Sequence, residues 1–225
     1  MKSIRCAPAS SRTRTSTKAY YRDRAGEYDL FYAEPRLGRD IVRLKSWLRR
    51  QVRARSVFEV AAGTGYWTEV AAPAARSILA SDCVSEMLDI AAGRRLGPHV
   101  AWLVADAFAL PEQSPRFEVG MAHLWWSHID KRRWREFLAH FASRLCAEAT
   151  VLMIDQVYVE GLSIPATRSD AAGNRYEQRS LLNGRSYEII KNYPSEEELR
   201  QALSGTFRKI EVTWLQYFWA LRARM

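Results

Sequence analysis

Cysteine is scarce: the 225-residue chain has 3, at Cys6, Cys83 and Cys146, with no C-x-x-C pair and no cluster of histidines. That pattern argues against a disulfide framework and a thiolate zinc site, and a reducing cytoplasm is the expected compartment. No apolar run approaches the roughly 18 residues of a membrane span. Residues 1–22 hold no acid but carry Lys2, Arg5, Arg12, Arg14, Lys18 and Arg22. Lacking an apolar stretch as well, this segment is no secretory signal, and residues 1–17 read as a disordered basic leader. A lysine is missing where a P-loop would need one, because Gly63-Thr64-Gly65 runs into Tyr66-Trp67. The third glycine of a dinucleotide-binding G-x-G-x-x-G is missing too: position 68 is Thr.

Apolar residues are plentiful, at 48% with 8 Trp, 10 Tyr and 8 Phe. A core is therefore available without staples, and residues 18–225 read as a single domain. The formal charge of +9 and a pI near 9.7 raise the question of an acidic partner. Gly38 to Val52 is expected to be a helix with an apolar stripe at Ile41, Leu44, Trp47, Leu48 and Val52. Its opposite face carries Arg39, Arg43, Lys45, Arg49, Arg50 and Arg53, a pattern that fits a solvated face or a nucleic-acid stripe.

Strand and helix signals then alternate. Strands are expected at Ser56–Val60, Ser77–Ser81, Val100–Val104, Phe117–Leu124 and Thr150–Val157. Helices are expected from Tyr66 to Ala72, from Ser85 to Arg95 and from Lys131 to Leu145. Such alternation means a parallel sheet covered on both faces. Beyond it, Asn183-Gly184 marks a hairpin between 176–182 and 186–190. Ser195 with Glu198 forms a capping box opening a helix to about Leu203, and Lys209–Leu215 and Gln216–Leu221 read as closing strands.

The organising stretch is Ser56 to Trp67, a buried strand that breaks into a glycine turn and re-forms as a helix. Glycines there accept φ > 0 and let a ligand approach the backbone, while the helix start aims its amides at the turn. Open parallel sheets bind ligands at the carboxyl ends of their strands. Glu59, Gly63 and Gly65 mark the first such end, Asp82 the second and Asp106 the third. His123, Trp125, Trp126 and His128 follow the fourth. Asp82 lies 17 positions after Gly65, close to the spacing at which a carboxylate accepts a ribose diol.

These residues resemble motif I of the class I S-adenosylmethionine-dependent methyltransferases, with Ala61 standing where the first glycine normally lies. The resemblance covers most of residues 18–221 and is similar to a bacterial branch acting on small molecules. It implies a Rossmann-like sheet of seven strands, mostly parallel and closed by an antiparallel pair, with helices on both faces and an inserted β-hairpin. It also implies S-adenosylmethionine as cofactor and S-adenosylhomocysteine as product. The glycine turn (Glu59, Ala61, Gly63, Thr64, Gly65) would take the methionine part, Asp82 the ribose, and Met87, Asp106 and Ala107 the adenine. Tyr20 and His123 would complete the cofactor site. Tyr20, Tyr21, Tyr28, Phe31 and Tyr32 stand among charges at a spacing that suits a short helix over Lys18 to Phe31, lying on the body of the domain. By the resemblance, residues 18–37 would be a lid, and 158–194 an insertion shaping the substrate side.

Displacement at a sulfonium methyl needs alignment above all, and a base only if the acceptor must lose a proton. His123 and His128 are the candidate bases, or else an edge residue and a loop support. Tyr21, Trp125, Trp126, Tyr187 and Tyr193 offer flat surface for an aromatic or heteroaromatic acceptor nitrogen or oxygen. No metal is called for. An RNA methyltransferase using the basic surface and a catalytically silent binding module are the alternative classes. Against RNA stands the lack of a D/N-P-P-Y motif after the fourth strand. A monomer and a homodimer are both compatible with the sequence.

Overall fold

The computed structural model describes residues 16–111 and 116–225. The leader expected over 1–17 therefore lies, up to residue 15, outside the described residues. The central sheet contains β1 (Ser56–Val60), β2 (Ser77–Asp82), β3 (Val100–Val104), β4 (Phe117–His123) and β5 (Leu145–Gln156). A second, smaller sheet contains β6 (Arg168–Ser169), β7 (Arg175–Ser180) and β8 (Ser186–Ile190). Then β9 (Arg208–Trp214) and β10 (Phe218–Arg224) return to the large sheet, whose order is β3-β2-β1-β4-β5-β10-β9. The pairs from β3 to β5 are parallel, and β10 is antiparallel to both its neighbours. This is the Rossmann-like seven-stranded sheet, with its strand order reversing between β1 and β4.

The central strands are apolar on both faces because helices cover both. On one side α2 (Gly38–Val52) and α3 (Tyr66–Ala71) bury Leu44, Leu48, Val52 and Val70 against Val57, Met121 and Ile154. On the other, α5 (Trp134–Ala142) and α6 (Glu196–Leu203) bury Phe137, Phe141, Leu199 and Leu203 against Phe58, Val151 and Leu221. A helix crosses closely here because β4 offers Gly120: a Cβ added there would sit 2.6 Å from the Phe141 ring. The α6 start carries the expected capping box, Ser195 with Glu198.

Two element boundaries differ from expectation. The helix expected through Leu145 stops at Ala142, because Leu145 pairs with Phe117 and opens β5. The aromatic segment Lys18 to Phe31 is not one helix. It is α1 (Thr17–Arg24), capped by Ser16, followed by a 3₁₀ stretch over Ala25–Ala33. The hairpin is present but belongs to the small sheet, which packs on α1 through Tyr20, Leu181, Tyr187 and Ile189. The α4 helix (Ser85–Gly93) completes the set. No described helix is long and apolar enough to cross a membrane, and no described residues cluster as metal ligands.

Candidate active site

The carboxyl ends of β1, β2 and β4 converge on a cleft open to solvent. Its floor is the turn after β1. Gly63 (φ 57°) lines it, and a Cβ added there would meet only the Tyr28 ring edge, at 3.9 Å. Ala61 also lines it, at φ 52°, which L-residues adopt at a penalty of roughly 1–2 kcal/mol. The missing first glycine is thus replaced by an alanine held in a glycine's conformation.

Asp82, at the end of β2, lines the cleft and is nearly buried. Its two carboxylate oxygens accept the backbone N–H groups of Gly63 at 2.9 Å and Val84 at 2.8 Å. Burial raises its pKa, and those amide bonds oppose the rise. Met87 lies against Val84 and Ala25 beside it. Asp106 caps the turn after β3 by accepting from Phe108 N–H at 2.9 Å, and Ala107, Phe108 and Trp125 continue the wall.

Two members of the expected set stand behind the turn instead of in the cleft. Glu59 is buried, accepts Thr68 Oγ1–H at 2.6 Å, and burial pushes its pKa to about 8. Gly65 (φ 76°) faces Trp102 and Ala91, which a Cβ would meet at 2.9 and 3.0 Å. Their part is to shape the turn. Thr64 is buried as well, and its hydroxyl donates to Asp29 at 2.5 Å.

The cleft's roof comes from α1 and the 3₁₀ stretch after it, through Thr17, Lys18, Tyr21 and Tyr28. Asp29 latches this roof to the turn by accepting from Thr64 and pairing with Arg94, whose Nε also donates to the Thr64 carbonyl at 2.6 Å. A second anchor ties α1 to the small sheet: Asp23 accepts from Tyr187 and from Arg185. Those bonds, Tyr187's first, draw its pKa down to about 2.

Beneath the roof lies a second, smaller cavity that is partly open to solvent. Tyr21, Tyr28 and Leu124 line both cavities and form the wall between them. Leu124 holds φ 52° there, a strain of the kind found at functional sites. Arg24 from α1, Arg179 from β7, and Lys191 just after β8 reach the second cavity, as do His128, Gln156 and Tyr20. His128 donates Nδ1–H to the Ile190 carbonyl at 2.7 Å, so its Nε2 accepts the Tyr21 hydroxyl, also at 2.7 Å. Burial, then the charge of Lys191, holds the His128 pKa well below the usual imidazole value. Burial also raises both gate phenols, Tyr28 to about 12, so both remain hydrogen-bond donors.

Other expected positions fall outside both cavities. His123 is buried edge-on to Trp67, with no partner for either nitrogen among the described residues, and burial lowers its pKa to about 3. It is a neutral core ring, placed away from both cavities. Trp126 stacks on Trp134 in the core, Tyr187 is fully buried under Tyr20, and the Tyr193 hydroxyl donates to Glu177. Of the flat surface expected for a ring acceptor, Trp125 lines the cleft and Tyr21 the dividing wall; Trp126, Tyr187 and Tyr193 are spent on packing. Tyr20 faces the second cavity, not the cofactor-sized cleft. Arg24, Leu124, Arg179 and Lys191 carried no signal in the sequence. Arg24 sits in the aromatic segment, where only the rings, Tyr28 among them, stood out.

Residues 57–148 match the family model described as a methyltransferase domain. The comparison with curated proteins returned no match. Among solved structures, DhpI with SAH is 26% identical, covering 92% of this chain and 94% of that one at a TM-score of 0.76. DhpI with SAM and HEP is 25% identical, covering 92% and 95% at the same TM-score of 0.76. The N-methyltransferase NodS from Bradyrhizobium japonicum WM9, bound to S-adenosyl-L-homocysteine (SAH), shares the fold at 13% identity, with 92% and 97% covered and a TM-score of 0.65.

Proposed function

We propose that this chain, a class I S-adenosylmethionine-dependent methyltransferase, passes the methyl group to a small molecule lodged in the second cavity. One observation carries the reading: a cleft at the sheet's switch point shares the wall Tyr21-Tyr28-Leu124 with a second, smaller cavity. The residues present fit the cofactor. Each Asp82 oxygen is used once by a backbone amide, leaving lone pairs for two ribose hydroxyls. Met87, Val84 and Phe108 supply apolar walls for a purine, and Gly63 leaves room for an amino-acid tail.

Bound S-adenosylmethionine supplies a methyl already activated by its sulfonium. The chain's share is then to align acceptor and donor and to exclude water, which can contribute ~7–11 kcal/mol. Residues 18–37 act as the lid, and the 158–194 insertion closes the acceptor side. His128, with its lowered basicity, is a positioning residue that fixes the Tyr21 hydroxyl at the shared wall; Tyr21 is the group that reaches the reacting atoms.

RNA is the competing acceptor, favoured by the exposed Arg39, Arg43 and Arg50 on α2. Salt separates the two. With a small acceptor, release of S-adenosylhomocysteine changes little between 50 and 200 mM salt, whereas an RNA held by several phosphates loses affinity by roughly 10³-fold or more. Retention on immobilised RNA at physiological salt with a steep loss of rate contradicts the proposal.

A further inference from the structure

The second cavity holds more positive charge than its neighbours neutralise. Three cations line it: Arg24, Arg179 and Lys191. Two carboxylates answer them, and both are buried behind its walls. Lys191 Nζ lies 3.3 Å from Asp155 and donates to Ser127 at 2.8 Å. Arg179 pairs with Glu177, which also accepts from Tyr193. Arg24 has no carboxylate partner among the described residues. Its guanidinium donates to the Tyr20 hydroxyl at 2.9 Å and lies 5.1 Å from the centre of the Tyr28 ring.

Two donors from different elements are thus left over at the cavity. The Arg24 guanidinium comes from the lid. Arg179 Nε, from the small sheet, is buried with no hydrogen-bond partner. A guanidinium partly withdrawn from water is stabilised by an anion, and half-buried Arg24 has no carboxylate beside it among the described residues. His128 adds no charge of its own, since its Nδ1–H is committed to the Ile190 carbonyl and its Nε2 to Tyr21. Tyr28 and Gln156 offer further neutral donors around the same space.

We infer that the acceptor carries an oxyanion, a carboxylate or a phosphoryl group, held between Arg24 and Arg179, and that this anchor selects the substrate. The inference rests on the proposed use of the second cavity and adds the chemical class of what enters it. Arginine suits the role because its planar fork matches both kinds of oxyanion. Arg24 belongs to α1, so an anion bound there also draws the lid onto the small sheet.

Calorimetry with three probes decides it. S-adenosylhomocysteine is titrated first, then inorganic phosphate, benzoate or neutral benzyl alcohol into the saturated protein and into the free protein, in chloride-matched buffer. At least one anion is expected to bind the wild type, and which one distinguishes a phosphoryl from a carboxylate anchor. Benzyl alcohol is expected to bind weakly. Arg24→Gln should weaken the anion by about 10- to 100-fold while leaving S-adenosylhomocysteine affinity within about 3-fold of wild type. Arg24→Lys should recover part of the loss, which rules out mere unfolding of the lid. Anion affinity equal in wild type and Arg24→Gln, or tighter binding of benzyl alcohol than of either anion, overturns the inference and leaves the methyltransferase reading intact. Failure to bind S-adenosylhomocysteine, with anion binding still dependent on Arg24, strikes that reading alone.

Discussion

At the scale of the residue, the site is built from groups held in unfavourable states. Ala61 and Leu124 sit at φ 52°, one in the cleft's floor and one in the wall between the cavities. Glu59 is an acid kept neutral: burial lifts its pKa to about 8 while Thr68 donates to it. The sign of its effect follows. Between the ordinary carboxylate range and pH 8 the folded protein holds a proton that the unfolded chain has released, so this group lowers stability as pH rises through that window. Glu59→Gln keeps an acceptor for Thr68 and removes the titration. Its urea midpoint should fall less than wild type's between pH 5 and pH 8, with a differential of roughly 2 kcal/mol. Parallel pH dependences would show that Glu59 is charged in the folded state. Glu59, Gly63 and Gly65 were legible as a ligand-binding turn, yet only Gly63 meets the cleft. Spacing along a chain fixes which residues share a turn; which side each one faces depends on Trp102 and Ala91 packing on Gly65 from other elements.

At the scale of the element, the lid is the part that sequence described least well. Its rings marked a segment that must lie on something, and Thr17, Lys18, Tyr21 and Tyr28 of this proposed lid line the cleft. The change from α-helix to 3₁₀ at Ala25 left no signal in the ring spacing. The cationic lining of the second cavity was hidden for a related reason. Arg24, Arg179 and Lys191 come from α1, β7 and the segment after β8, and no pattern within any one of these elements marks them as neighbours. The latch at Asp29 gives the lid a test. Partly exposed ion pairs of this kind contribute about 1 kcal/mol or less, so Asp29→Ala should barely change the melting temperature. Amide exchange should speed up over residues 17–33 and stay constant in β4 and β5, and turnover should fall with it. Exchange rising equally in the central strands would make the segment a structural part of the core.

At the scale of the whole molecule, the fold follows from strands and helices whose ends the sequence gives to within a few residues, apart from the fifth strand, which starts earlier than expected. Apolar runs bounded by Gly, Pro and Asp set the parallel strands, and the capping box fixed α6. The strand order was not legible in the sequence, because pairing between β1 and β4 is non-local and no pattern within either strand specifies it. Only when that order brings β1, β2 and β4 together do Gly63, Asp82 and Leu124 become a single site. The account therefore turns on Asp82 as the holder of the cofactor's ribose. Titration calorimetry of S-adenosylhomocysteine against wild type and Asp82→Ala tests it directly. Loss of both hydroxyl contacts to a buried carboxylate predicts weakening by about 1.5–3 kcal/mol, in a variant whose circular dichroism matches wild type. A folded Asp82→Ala that binds with unchanged affinity would contradict the account.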